Sequence, residues 1–365
     1  MRQLWWMTAL AVMVGVTAAS AAPLIDVGVG TATGMSTDGS VVALNNSGAY
    51  IWNYYKGLKS LGAAYTSGGV AVGGSSFFGS SKVIVGASSG GNVYYWAGDV
   101  DGTGSWSAAL GLGTALCTSA NAAGTDFWIG GNNGTTTGSR EAIRYKRSSN
   151  SLTALNRPAG YNRDAYIYGV SDIGSYAGRA QYGNTSPSGA RGAVGGGTLA
   201  GLNPLIGAQT TSNEAVANAI SRNGARAGGW STNTGVQRQG TIWNIGTATP
   251  VVAIPFLGTD NYAEVQALNS DGTIAAGYAR DLVAGTRRLW IWDAVNGTQD
   301  LAAYLTGLGW DLTGWTFTDV KGMSADGRRL TGTGTFEGVT HTWFVPEPAT
   351  MLMLALGGLA LRRRR

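Results

Sequence analysis

Gly34-Met35-Ser36-Thr37-Asp38-Gly39 stands near one end of the chain and Gly322-Met323-Ser324-Ala325-Asp326-Gly327 near the other; the two hexapeptides differ at a single position. Between them lie Ala219-Ile220-Ser221-Arg222-Asn223-Gly224 and Ala267-Leu268-Asn269-Ser270-Asp271-Gly272. Looser copies occupy Gly169–Gly174 and Thr118–Gly124, and the weakest is Gly74–Gly79. The closing glycines, at 39, 79, 124, 174, 224, 272 and 327, are separated by 40, 45, 50, 50, 48 and 55 residues. Asp-Gly and Asn-Gly tolerate the positive φ of tight hairpin turns. Each copy is therefore read as the turn between a first and a second strand.

A third strand, usually aromatic, follows each turn: Ile51-Trp52, Tyr95-Trp96, Ile143–Tyr145, Ile242-Trp243, Trp290–Trp292 and Thr342-Trp343. The fourth unit offers only Ala193-Val194 there. A short fourth strand closes most units, from Lys59–Leu61 in the first to Asp300–Ala303 in the sixth. Four short antiparallel strands in each repeat of this length are the signature of a β-propeller blade. The expectation is an all-β, seven-bladed β-propeller of four-stranded antiparallel blades. The alternative is a β-helix or other solenoid, which would use fewer residues per coil and lack the regular hairpin turn. The seventh unit runs from its third strand, Thr340–Val345, straight into the C-terminal segment and so lacks a fourth. Leu24–Val29, a spare apolar strand before the first unit, is expected to supply it and close the ring, removing an exposed edge.

Both ends read as addresses. Residues 1–21 have a positive start at Arg2, an apolar run and Ala19-Ser20-Ala21, the pattern of a secretory signal peptide. Residues 345–365 combine Pro346-Glu347-Pro348, the apolar stretch Ala349–Leu361 and Arg362, Arg363, Arg364 and Arg365. Thirteen helical residues span about 20 Å, short for a membrane crossing of about 30 Å, and the arginines would stay on the cytoplasmic side. The repeat body is then residues 22–344.

The three parts of the tail closely resemble the PEP-CTERM sorting signal of exported bacterial proteins. That resemblance implies a transient membrane anchor, recognition by an exosortase-type processing enzyme, and delivery to the cell surface or extracellular matrix. The Gly-[Met/Val/Ile]-Ser-x-Asp-Gly turns resemble the HAF repeats of extracellular bacterial proteins, as does Leu308–Thr316 leading into Gly322–Gly327. That second likeness implies an exported β-rich repeat protein and no particular reaction.

Composition narrows the function. With one cysteine, Cys117, and one histidine, His341, the chain has neither a disulfide framework nor a Cys/His zinc site. Of 25 Lys and Arg residues, Arg2 and the four terminal arginines belong to the addresses, leaving 20 against 20 Asp and Glu. A near-neutral body gives nucleic-acid binding no support. No cofactor is implied. Asp99 and Asp101, in Asp99–Gly104, form a weak calcium candidate without a third carboxylate. His341 reads as a strand residue, Cys117 as a buried thiol, and the third-strand tryptophans as core. Trp106, Trp128 and Trp230, outside that period, are candidates for stacking on sugars.

Arg140, Arg191, Arg238 and Arg287 stand just before the third strand of units three to six, 16, 17, 14 and 15 residues after their turn glycines. Second-to-third loops of a propeller share one face, so the four should form an arc able to hold an anionic exopolysaccharide. The functional expectation is an exported, non-catalytic surface or matrix protein, binding or structural within an exopolysaccharide-associated layer. The alternative is a secreted glycosidase or lyase, which would need two carboxylates facing the central mouth.

Overall fold

The repeated turn owes its shape to a buried hydroxyl. Ser36 Oγ donates to Asp38 Oδ1 at 2.7 Å and accepts the Val41 backbone N–H at 2.8 Å. Ser324 does the same with Asp326 and Arg329, and Ser221 with Asn223 and Arg226. Gly39, Gly174, Gly224, Gly272 and Gly327 all take positive φ, as the Asp-Gly and Asn-Gly reading requires.

The computed structural model describes residues 22–62, 82–120, 126–133, 140–156, 164–181, 190–195, 200–205, 214–235, 237–245 and 250–347. The signal segment 1–21, the turn Gly74–Gly79, and Pro348 onward, with the apolar stretch and terminal arginines, lie outside the described residues. No described helix is long and apolar enough to cross a membrane.

The strands assemble as antiparallel meanders around a ring. Unit one is Thr31–Met35, Val41–Asn45, Ala49–Asn53 and Gly57–Ser60, paired in that order. Unit three is Thr114–Ala120, Phe127–Asn132, Ala142–Lys146 and Ser151–Ala154; unit six is Tyr262–Leu268, Ile274–Asp281, Thr286–Asp293 and Gly297–Asp300. The described first strands, from unit three round to unit seven and on to unit one, touch in succession and surround a central cavity. This is a β-propeller with four-stranded blades, and no solenoid.

Counted as hydrogen-bonded sheets, the described residues form six blades rather than the expected seven. The fourth and fifth units share one eight-stranded sheet, because the third strand Ala190–Gly195 meets the first strand Ala215–Ile220 at the parallel bridge Arg191–Ala215. The merger is made by backbone, so no side-chain pattern announces it. A second difference follows Gly297–Asp300. Leu301–Gly307, whose first residues were expected to continue a strand, is a helix capped by Asp300 Oδ1, which accepts the Ala303 N–H at 2.9 Å. Leu301 and Leu305, one turn apart, are its buried face.

The two ends of the body meet. Ile25–Val29 pairs antiparallel with Val339–Val345, and the last sheet is completed by Trp315–Met323 and Leu330–Phe336. The turns close the ring a second time: Ala325 N–H donates to Thr37 O at 2.7 Å. The same link joins Ser270 to Ala325, Asn223 to Ser270 and Asp172 to Arg222, so neighbouring turns are laced by backbone hydrogen bonds. The third-strand tryptophans Trp52, Trp96, Trp243, Trp292 and Trp343 are all buried. They pack within the apolar clusters that fill the sheets' interfaces.

Candidate functional site

Every described first strand carries at least one extra residue. The pairing with the second strand skips Thr33, Leu116, Tyr168, Asn218, Gln266 and Lys321 in units one and three to seven. Such a bulge leaves its residue outside the ladder and re-aims the side chain. All six line the central cavity, of about 390 Å³, together with Glu264. The bulge also crowds the second strand. A Cβ at Gly131, Gly178, Gly229, Gly277 or Gly332 would fall within 2 Å of a first-strand carbonyl oxygen. That is why glycine recurs there.

The collar is wired from unit to unit. Asn218 Nδ2 donates to Glu264 Oε2 and to Val265 O, both at 3.2 Å. Gln266, at the same place one unit on, donates to Asp319 Oδ1 at 3.1 Å and accepts the Val320 N–H at 3.1 Å. Lys321 Nζ lies 3.8 Å from Asp319 Oδ2. Collar amides thus bridge to a carboxylate on the next unit's first strand.

Three of the four arc arginines point to an acid on, or just before, the next unit's first strand. Arg238 donates to Tyr262 Oη at 2.6 Å and Glu264 Oε1 at 3.3 Å, and its guanidinium lies 3.9 Å over the Trp230 ring. Arg287 donates to Asp319 Oδ1 at 2.9 Å and lies over Tyr278. Arg140 donates to Tyr166 Oη at 2.5 Å, and its guanidinium is 3.7 Å from Asp164. Tyr262 Oη in turn donates to Glu264 Oε1 at 2.5 Å. Burial, with the Glu264 charge next, pushes the Tyr262 phenol up from its ordinary pKa. The backbone of Arg191 occupies the equivalent strand; its side chain is outside the described residues. Arg140, Arg238 and Arg287 therefore tie the start of one unit's third strand to the first strand of the next, each of these charges facing an acid.

At the turn end of the cavity Arg222 Nη2 reaches the Met35 carbonyl of unit one at 3.2 Å, and Nη1 lies 3.4 Å from Asp172 Oδ1. Ser119 Oγ donates to that same oxygen at 2.5 Å. Burial lowers the Arg222 pKa, and the Asp172 charge acts against it. Arg222 thus crosses from the fifth unit to the first at the turn end.

Other candidates resolve more simply. Asp101 Oδ1 accepts the Thr103 N–H at 2.9 Å and Asp99 O accepts the Gly102 N–H at 3.0 Å, an Asx-turned hairpin. No cluster of three or more potential metal ligands occurs among the described residues. Cys117 is buried and free, its pKa pushed up to about 12 by desolvation. His341 Nδ1 lies 2.9 Å from Asp26 Oδ1, joining the closing strand to its partner. Trp128 and Trp230 are buried, and Trp106 Nε1 donates to Leu61 O at 2.8 Å, so the three stand as packing residues. The collar residues escaped the sequence reading. A signal existed: Thr33, Tyr168, Asn218, Gln266 and Lys321 each lie six residues before their turn glycine.

Residues 344–365 match the PEP-CTERM protein-sorting motif. That motif marks an exported protein sorted at the membrane and is linked to exosortase processing. No curated protein sequence matches the chain. Among solved structures, the fold is similar to oligogalacturonate lyase from Vibrio parahaemolyticus. The TM-score is 0.56 at 11% identity, covering 89% of this chain and 93% of that one. It is also similar to the Dos1 propeller, with a TM-score of 0.50 at 14% identity, covering 90% and 95%. These likenesses concern the fold.

Proposed function

We propose that this is an exported, non-catalytic propeller that binds polysaccharide at the mouth of its central cavity, within an exopolysaccharide-associated layer at the cell surface or matrix. The observation that carries the reading is the bulged collar. Thr33, Tyr168, Asn218, Gln266 and Lys321 bring hydroxyl, amide, phenol and ammonium groups to one cavity, a set suited to sugar hydroxyls. Arg140, Arg191, Arg238 and Arg287 begin third strands on the same face and would add contacts to acidic sugars, making anionic chains the preferred ligands. Their acid partners restrain that contribution, so binding should be salt-sensitive without being driven by charge alone. The tail delivers the protein through transient anchoring and exosortase-type processing, and HAF-type repeats are part of the same reading.

A catalytic alternative is favoured by one observation. Glu264 lines the cavity and Asp319, on the next first strand, accepts from the cavity residue Gln266, and one fold neighbour is named an oligogalacturonate lyase. Against it, each carboxylate already accepts an arginine and an amide. The test is a glycan array probed with the full chain and with Asn218→Ala/Gln266→Ala. The reading predicts retention of acidic polysaccharides that falls at least about tenfold in the double variant, the loss of two hydrogen-bonding groups. Unchanged retention, or release of shortened chains from the bound glycan, would contradict it.

A further inference from the structure

The chain leaves the ring at Val345, and the sorting triplet follows immediately. Glu347, its acidic member, is held by the body. Oε1 accepts from Arg328 Nη1 at 3.0 Å and Oε2 from Arg329 Nη2 at 3.2 Å, one guanidinium per oxygen. Both arginines come directly after the Asp326-Gly327 turn of the last unit.

Arg329 is fixed from several sides. Its backbone N–H donates to Ser324 Oγ at 2.9 Å, and its Nη1 donates to the carbonyl of Asp38 in unit one. Its methylenes cover Gly39, where a Cβ would come 2.6 Å from Arg329 Cδ. Arg226 holds the same place in unit five and reaches the next turn in the same way, donating to Gly272 O at 3.1 Å. In the last unit the next turn belongs to the first, so Arg329 stands in position only once the two ends of the ring have met. There this inter-unit arginine gains a second partner, Glu347. The Glu347 side chain is left 22% exposed, whereas Arg328 is 65% exposed and free of the ring-closing contacts.

We propose that Arg328 and Arg329 form a carboxylate site for the glutamate of the Pro346-Glu347-Pro348 triplet. Ring closure assembles the site, which holds the triplet against the folded body and withholds it from the membrane enzyme that processes it. Folding and processing then compete: an unclosed ring offers Glu347 freely, and a closed one must release it first. The inference rests on the reading of the tail as a processed sorting signal.

Two readouts on the full chain separate the ideas. In exosortase-bearing cells, pulse–chase cleavage should run about threefold faster in Arg328→Gln and about tenfold faster in Arg328→Gln/Arg329→Gln, the range for a partly exposed charge network. Arg328→Gln leaves the Arg329–Asp38 contact intact, so it keeps the test valid if the double variant folds poorly. In detergent, a spin label on Ala349→Cys should become more mobile in Arg328→Gln, and in the otherwise unaltered chain when salt is raised from about 0.05 to about 0.5 M. Cleavage at an unchanged or slower rate, or a label indifferent to variant and salt, overturns the site. If the parent chain is never cleaved while the label responds, the processing reading fails and the carboxylate site stands.

Discussion

Cys117 shows how a side chain's surroundings set its chemistry. It lies on the first strand of unit three, next to the collar residue Leu116, with Sγ 3.9 Å from Ile167 O across the unit boundary. Burial raises its pKa to about 12, against about 8.5 for a free thiol. The folded-state value is raised, so the unfolded chain loses its proton first. The thiol's contribution to stability is therefore intact below about pH 8.5 and declines as pH rises toward 12. At pH 10 the cost should be about 2 kcal/mol. Urea unfolding of the parent chain and Cys117→Ala at pH 7 and pH 10 checks this: the parent should lose about 2 kcal/mol more than the variant. Equal losses would mean that the thiol ionises in place. Arg222 and Ser221, neighbours in one turn, divide the labour differently, the serine shaping the hairpin and the arginine crossing the cavity.

Among elements, the paired first and second strands matter most. The extra residue that builds the collar crowds the facing second strand, which carries glycine there in units three to seven, as at Gly277, where a Cβ would lie 1.9 Å from Glu264 O and 2.7 Å from Trp290. Gly277→Ala should cost about 1–3 kcal/mol and disturb the Glu264 end of the collar, lowering both the thermal midpoint and glycan retention. An unchanged midpoint would show that the bulge relaxes freely. Unit one, with Leu44 opposite Ala32, manages its bulge without glycine. Turns, third strands and their tryptophans were legible because each uses a recurring residue type for a fixed physical need. The collar was marked only by the six-residue spacing of five members from their turn glycines, because threonine, leucine, tyrosine, asparagine, glutamine and lysine share a position and no chemistry. The helix Leu301–Gly307 carried a readable signal, an Asp cap and leucines one turn apart, which the strand period obscured. The partners of Arg140, Arg238 and Arg287 lie 24 to 32 residues on, in the next unit, beyond any local pattern.

At the level of the whole molecule, the architecture follows from how a short-stranded sheet disposes of its edges. Closure covers the Val339–Val345 edge of the last sheet, and it is made three ways: by the strand Ile25–Val29, by the Ala325–Thr37 turn contact, and by side chains from His341 to Asp26 and from Arg329 to Asp38. The need for such a strand was legible in a last unit that lacked its fourth. The fusion of units four and five through Arg191 and Ala215 was not, since one backbone bridge leaves no trace in composition. Cavity, collar and the proposed hold on Glu347 all depend on that closed ring. Hydrogen exchange of the full chain tests it most directly. The amides of Ile25–Val29 should exchange as slowly as those of Val339–Val345, and both should lose protection together in Asp26→Asn/His341→Ala. Rapid exchange of Ile25–Val29 beside a protected Val339–Val345 would contradict the account.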